Sequence, residues 1–263
     1  MAYLGSIAKF TYRCGGVPSV PYDFGDILLN TSDIPTKIYA YNPDSKVSTL
    51  LSVPNILSTS SDIAHTINKL WLYEITGGVY TIKEWDINLN PFSAVFNRSI
   101  TNPKISTGLH AISNSLLIGN QWANPASYYE MDITGVACIN TIIFNAQPWR
   151  IITGDYILTT TGKLISLEIS LLSMKQYIIQ YDYSTGIVEI DIDLSSIFSG
   201  TIWSYGLFEY DGEIYIAGDN GIGGVIYKID KIIPYSLTLY DTTPYRISGA
   251  SQLNYRLTEH FII

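Results

Sequence analysis

The chain has 263 residues, 47% of them hydrophobic and 13% aromatic, including 21 tyrosines, ample material for the core of one large domain. Charged residues make up only 14%, and 15 basic against 23 acidic side chains leave a net charge of −8. This composition excludes intrinsic disorder and a coiled coil, and it argues against wrapping a nucleic-acid backbone.

The amino end, Met1 to Phe10, has no basic segment followed by an unbroken apolar run, so no secretory signal is expected. No apolar run approaches the roughly 18 residues a membrane span needs, so no membrane insertion is expected. Leu4–Arg13 alternates like an outer strand. Cys14 and Cys138 stand in no metal-ligand spacing and read as two buried thiols, with one long-range disulfide as the alternative. Asn30-Thr31-Ser32 and Asn97-Arg98-Ser99 match the glycosylation triplet, by chance in a chain without a signal.

From there alternation with period two dominates. Lys69–Tyr73, Ser115–Ile118, Lys163–Leu167 and Glu213–Ala217 are short strands rich in branched and aromatic residues. Each is followed by a loop and a second strand ending in an acid. Leu70, Leu116, Leu164 and Ile214 recur every 46 to 50 residues, and Asp86, Asp132, Asp182 and Asp230 keep the same period. Asn42 is an earlier copy, 44 residues before Asp86. Two landmarks with one period indicate an internal repeat. Turn formers follow each acid, so the acids are read as backbone-bonding turn residues, not catalytic ones.

Each unit reads as four strands: an inner one such as Ile63–Ile67 or Tyr205–Tyr210, the marker strand, the acid-ended strand, and an outer one such as Val188–Ile192 or Ser236–Tyr240. A repeated four-stranded unit of this length resembles a β-propeller blade. The Trp-Asp signature of WD40 repeats and a regular kelch diglycine are both absent. The resemblance implies an all-β fold, a single β-propeller domain over 1–263. Six blades are expected, at roughly 17–54, 55–103, 104–148, 149–200, 201–243, and 244–263 stitched to 1–16. The alternative is five, with the carboxyl end supplying only the inner strand of the first.

Propeller loops that join second to third strands share a face with the blade-to-blade connections, and here that face has the most irregular sequence. Trp122 beside Gln121 and Asn124 combines an apolar ring with amides, as a sugar site or a protein-interface anchor would. Trp149 and Trp203 extend the candidate ligand or partner surface. Trp71 and Trp85, within strands, read as blade-to-blade packing. No catalytic residue and no metal site is assigned. His65 and His110 fall on opposite faces of their strands when aligned through Leu70 and Leu116. Asp62, Asp155 and Glu209 lie near inner strands, but their phases disagree. Thr161-Gly162-Lys163 lacks the earlier glycine of a phosphate loop, and Asp191–Ser195 lacks the glycine and closing glutamate of a calcium loop.

The reading ranked first is a non-catalytic structural or adhesion module of a virion, such as a phage tail, baseplate or capsid-attached protein. It would bind neighbouring subunits, a host receptor or a glycan, without a cofactor. This rests on a resemblance of compositional style. The alternatives are a carbohydrate-binding or glycan-processing propeller, with Trp122, Asn124, Trp149 and Trp203 as the platform, and an intracellular (cytoplasmic) protein-interaction scaffold. A mean hydropathy of +0.17 with so few charges favours membership of a larger assembly in each case.

Overall fold

The structure, a computed structural model, describes residues 24–253 apart from positions 59, 77–78, 103, 105, 122, 124, 160, 198–202 and 231–234. It is a five-bladed β-propeller. Blade 1 contains β1 (Ile27–Thr31), β2 (Ile38–Asn42) and β3 (Val47–Leu51). Blade 2 is β4 (Ser60–His65), β5 (Lys69–Thr76), β6 (Val79–Leu89) and β7 (Phe92–Thr101). Blade 3 is β8 (Leu109–Ala111), β9 (Leu116–Gln121), β10 (Ser127–Asp132) and β11 (Ile139–Asn145). Blade 4 is β12 (Arg150–Leu158), β13 (Lys163–Ser170), β14 (Gln176–Asp182) and β15 (Val188–Asp193), followed by the short helix α1 (Leu194–Ile197). Blade 5 is β16 (Trp203–Tyr210), β17 (Glu213–Asp219), β18 (Gly224–Ile229) and β19 (Leu237–Thr243). The last strand, β20 (Ile247–Gln252), pairs antiparallel with β1 and completes blade 1 in the order β20-β1-β2-β3.

The six-blade expectation is thereby corrected to its five-blade alternative. The segment after Tyr245 does open like a blade, but its hydrogen bonds go to β1, with Leu28 opposite Ser251 and Leu29 opposite Ala250. Blade 1 otherwise lacks an inner strand, and β20 fills that place. The expected strand at Leu4–Arg13 and the residues after Leu253 lie outside the described residues.

Burial follows from radial stacking. Second strands are covered on both faces, as in the wholly buried Ile27–Thr31 and all but the first residue of Lys163–Ser170. Outer strands such as Phe92–Thr101 alternate between half-buried and exposed, with only Ile100 of that strand fully buried. A sheet clamped between two neighbours needs continuous apolar runs, and its free edge needs only one apolar side. The core accordingly divides into five seams. Ile63, Leu70 and Trp85 pack on Leu28 and Ile38; Trp71 and Tyr73 pack on Leu117 and Met131. Tyr128 meets Tyr156 and Tyr181, Ile178 meets Ile216, and Phe208 meets Tyr41 and Ile247.

Of the repeated residues, Asp132, Asp182 and Asn42 make turns, as expected. Asp132 Oδ1 accepts the Thr134 N–H (2.9 Å), Asp182 Oδ1 accepts that of Thr185 (3.0 Å), and Asn42 Oδ1 accepts that of Ser45 (2.9 Å). Asp86 differs: β6 continues to Leu89, Asp86 pairs with Lys69, and Asn88 caps the turn by accepting the Asn90 N–H.

Candidate functional site: the axis and the blade 3–4 corner

The inner strands close around an axis that is filled, not open. Asp62, Asp155, Glu209, His65, His110, Ser251 and Gln252 are all buried there. Backbones approach so closely that a Cβ on Gly206 would collide with Ala250, and one on Gly249 with the side-chain oxygens of Asp62 and Asn30.

Hydrogen bonds join every neighbouring pair of blades near this axis. The His65 N–H donates to Ser251 Oγ (3.0 Å), and the Leu109 N–H to Asp62 Oδ2 (2.6 Å). Thr107 Oγ1 donates to Ile152 O (2.8 Å) and Tyr156 Oη to Gly108 O (2.6 Å). The Leu207 N–H points to Asp155 Oδ2 (3.5 Å), and the Glu209 N–H donates to Gln252 Oε1.

Asp62 and Asp155 thus converge, which sequence phase did not foresee. β-Bulges between Ser60 and Asp62 and between Ile152 and Tyr156 shift the alternation and turn both carboxyls inward. Burial pushes both well above the ordinary carboxylate range, and the charge of Asp62 raises Asp155 further. Asp62 Oδ1 and the neighbouring Asn30 Oδ1 have no hydrogen-bond partner. Two desolvated carboxyls at one place favour keeping a proton. Glu209 lies at the other end of its strand, beside the Asp211–Gly212 turn. Among the described residues no group of three or more His, Cys, Asp or Glu side chains is arranged to hold a metal.

The second constellation lies where blades 3 and 4 meet, on the face carrying the blade-to-blade connections. Trp149 is 52% exposed and takes a left-handed backbone (φ 62°). Its carbonyl accepts the Leu171 N–H (2.8 Å), tying the connection to the β13–β14 loop, where Leu172 and Met174 are also exposed. Arg150 and Glu168 are diagonal neighbours on one face of the β12–β13 pair, with Arg150 opposite Ser170 and Ile152 opposite Glu168. The Arg150 guanidinium stacks on Tyr177, 3.4 Å from the ring centre, and its Nη2 pairs with Asp191 (3.0 Å). Glu168 is fully buried. Its Oε1 accepts the hydroxyls of Tyr128 (2.9 Å) and Tyr181 (2.6 Å). Burial raises its pKa to about 7, against the pull of the two tyrosine bonds and Arg150.

Of the residues singled out from sequence, Trp149 is therefore a surface feature of this corner. Gln121 is half-buried, and its Oε1 accepts from Tyr129 Oη and from Lys104 Nζ (3.4 Å). Trp122 and Asn124 lie outside the described residues, and Trp203 opens β16 with its side chain outside them. Sequence reasoning missed Glu168. The available signal was a lone acid inside the apolar run Leu164–Ser170, where both strand faces are covered.

No protein-family model matches the sequence, and no curated protein is similar to it. Similar solved structures share the propeller architecture. An engineered GH43 glycoside hydrolase with endo-xylanase and exo-arabinofuranosidase activity is 11% identical, with a TM-score of 0.56 over 82% of this chain and 50% of that one. A candidate 6-phosphogluconolactonase from Bacteroides uniformis is 9% identical (TM-score 0.49, 83% of this chain, 82% of that one). The Cps50 (Swd1) propeller domain of Myceliophteria thermophila is 12% identical (TM-score 0.47, 85% of this chain, 71% of that one). The chain spans half the length of the GH43 protein, and at these identities the likeness is one of fold.

Proposed function

We propose that this propeller binds carbohydrate on the face that carries Trp149. The observation that carries the reading is the exposed Trp149 ring, held on a short connection next to Arg150, whose guanidinium stacks on Tyr177. A flat apolar face next to hydrogen-bonding groups suits the alternating CH and OH surfaces of a sugar. The propeller scaffold is also that of a glycoside hydrolase. These points support glycan binding over the virion-module reading. That reading remains the competing proposal, because Leu172 and Met174 beside Trp149 equally suit a protein anchor. A glycan array followed by calorimetry tests the proposal: at least one oligosaccharide binds, and Trp149→Ala weakens it tenfold or more while thermal melting is unchanged. A blank array counts against it.

Glycan hydrolysis is a second reading, favoured by the adjacent Asp62 and Asp155. Paired carboxyls with a retained proton are what glycosidic acid–base chemistry uses. Both side chains are buried, however, and substrate must reach them. Release of reducing sugar that disappears in Asp155→Asn supports hydrolysis; binding without turnover leaves the pair a structural one.

A further inference from the structure

Behind Trp149 the seam between blades 3 and 4 contains a donor and an acceptor that the chain itself does not satisfy. Arg150 Nη1 and Glu168 Oε2 are both buried without a hydrogen-bond partner. Arg150 reaches across Glu168: Tyr177, on which its guanidinium stacks, is the residue opposite Glu168 on β14. Arg150 pairs through Nη2 with Asp191 and not with Glu168. Leaving a buried charged donor and acceptor unfilled is unfavourable, and the simplest group that serves both is a hydroxyl oxygen, which accepts one bond and donates another. The Arg150 side chain is 13% exposed, so part of it reaches the surface at this end of the seam, one residue from the exposed Trp149.

We propose that Arg150 and Glu168 form a subsite for a hydroxyl of a neutral sugar whose ring stacks on Trp149. The inference rests on the carbohydrate reading and names its ligand class. Arg150 donates to the sugar oxygen, and the hydroxyl proton goes to Glu168 Oε2. Tyr128 and Tyr181 occupy the other carboxylate oxygen and fix its plane. A uronate carboxylate at this place would lack a proton to give and would face Glu168 directly, so neutral sugars are selected over acidic ones. The titratable and charged groups facing Glu168 are Tyr128 from β10, Arg150 from β12, Tyr177 and Tyr181 from β14, and Asp191 from β15. Protonation turns Glu168 from acceptor to donor, so binding weakens as pH falls through about 7.

The test is calorimetry of the full chain with xylohexaose and with an oligogalacturonate of similar length, at pH 6 and pH 8. The expected results are binding of the neutral oligosaccharide only, severalfold tighter at pH 8, and a tenfold loss with a flat pH profile in Glu168→Gln. Glutamine keeps the oxygen that receives both tyrosine hydroxyls. The wild-type pH profile needs no variant and stands even if Glu168→Gln fails to fold. Neutral-sugar binding that is lost in Trp149→Ala but unaffected by pH and by Glu168→Gln overturns the subsite and leaves the carbohydrate reading intact. Preference for the oligogalacturonate overturns the ligand class. Binding of neither sugar overturns the subsite, and a blank array in addition removes the carbohydrate reading.

Discussion

His65 Nδ1 lies 2.7 Å from Ser251 Oγ, joining blade 2 to the strand that completes blade 1. The other ring nitrogen, Nε2, faces the Gly25 carbonyl at 2.7 Å, which can only accept, so Nε2 carries the proton and Nδ1 receives the serine hydroxyl. Burial lowers the imidazole pKa to about 4, partly countered by the Gly25 bond and Asp26. The folded value lies below the ordinary one near 6.5. The stabilising contribution is therefore whole above pH 6.5 and is lost as pH falls through 4. Melting temperature between pH 6.5 and 4 should fall less steeply in His65→Gln than in the parent chain; parallel curves would refute a neutral His65.

The axial carboxyls have the opposite sign. Asp62 and Asp155 are raised by burial, so their contribution is complete below about pH 4 and is lost as pH rises through their folded values. Asp62→Asn supplies an amide that can still accept the Leu109 N–H and can donate toward Asn30 Oδ1. At pH 8 this variant should be more stable than the parent, because the amide carries no charge to desolvate. Urea titration checks this, and the infrared band of a protonated buried carboxyl should be present in the parent at neutral pH.

Gly249 sits where a methyl group would overlap Asp62 and Asn30. Gly249→Ala should destabilise the ring by about 1–3 kcal/mol, as overpacking does. Alanine at Gly162, whose Cβ position is empty, should cost only the left-handed backbone term of about 1 kcal/mol.

The seam between blades 5 and 1 is bonded by tyrosine hydroxyls. Tyr41 Oη donates to Asp241 (2.9 Å), Tyr240 Oη to Pro43 O (2.9 Å) and Tyr245 Oη to Ser48 Oγ (2.6 Å). Burial, reinforced by Asp241, raises the Tyr41 hydroxyl far above 10, and burial raises Tyr245 to about 12. Raised folded values mean stability that is whole below pH 10 and lost above it. Tyr41→Phe should cost about 1.5–3 kcal/mol at pH 7 by denaturant titration, the range for a bond to a charged acceptor. Tyrosinate absorbance should appear together with unfolding rather than before it.

The repeat was legible because its punctuation is local. Asn42, Asp132 and Asp182 each fasten the turn that follows them, and such turn chemistry is written in neighbouring residues. Blade number was harder to read, because Ile247–Gln252 looks like any inner strand and nothing local reveals that its partner is Ile27–Thr31. The axial pair was hidden for a related reason: strict alternation sends Asp62 and Asp155 to different faces, and the two bulges that reunite them leave no clear mark in composition. The corner was half visible. Trp149 stood out as an aromatic in a connection, whereas Glu168 acquires its meaning only when Tyr128 arrives from the adjacent blade.

Because β20 is both the last described strand and the innermost one of blade 1, Ile27–Thr31 must wait for a partner more than two hundred residues downstream. During vectorial synthesis blades 2 to 5 can assemble as each emerges, while the first sheet stands with an unpaired edge facing the axis. Such a distant final contact is entropically late, so the rate-limiting event in reaching the native ring should be this docking, and the nascent chain is most open to misassociation until it happens.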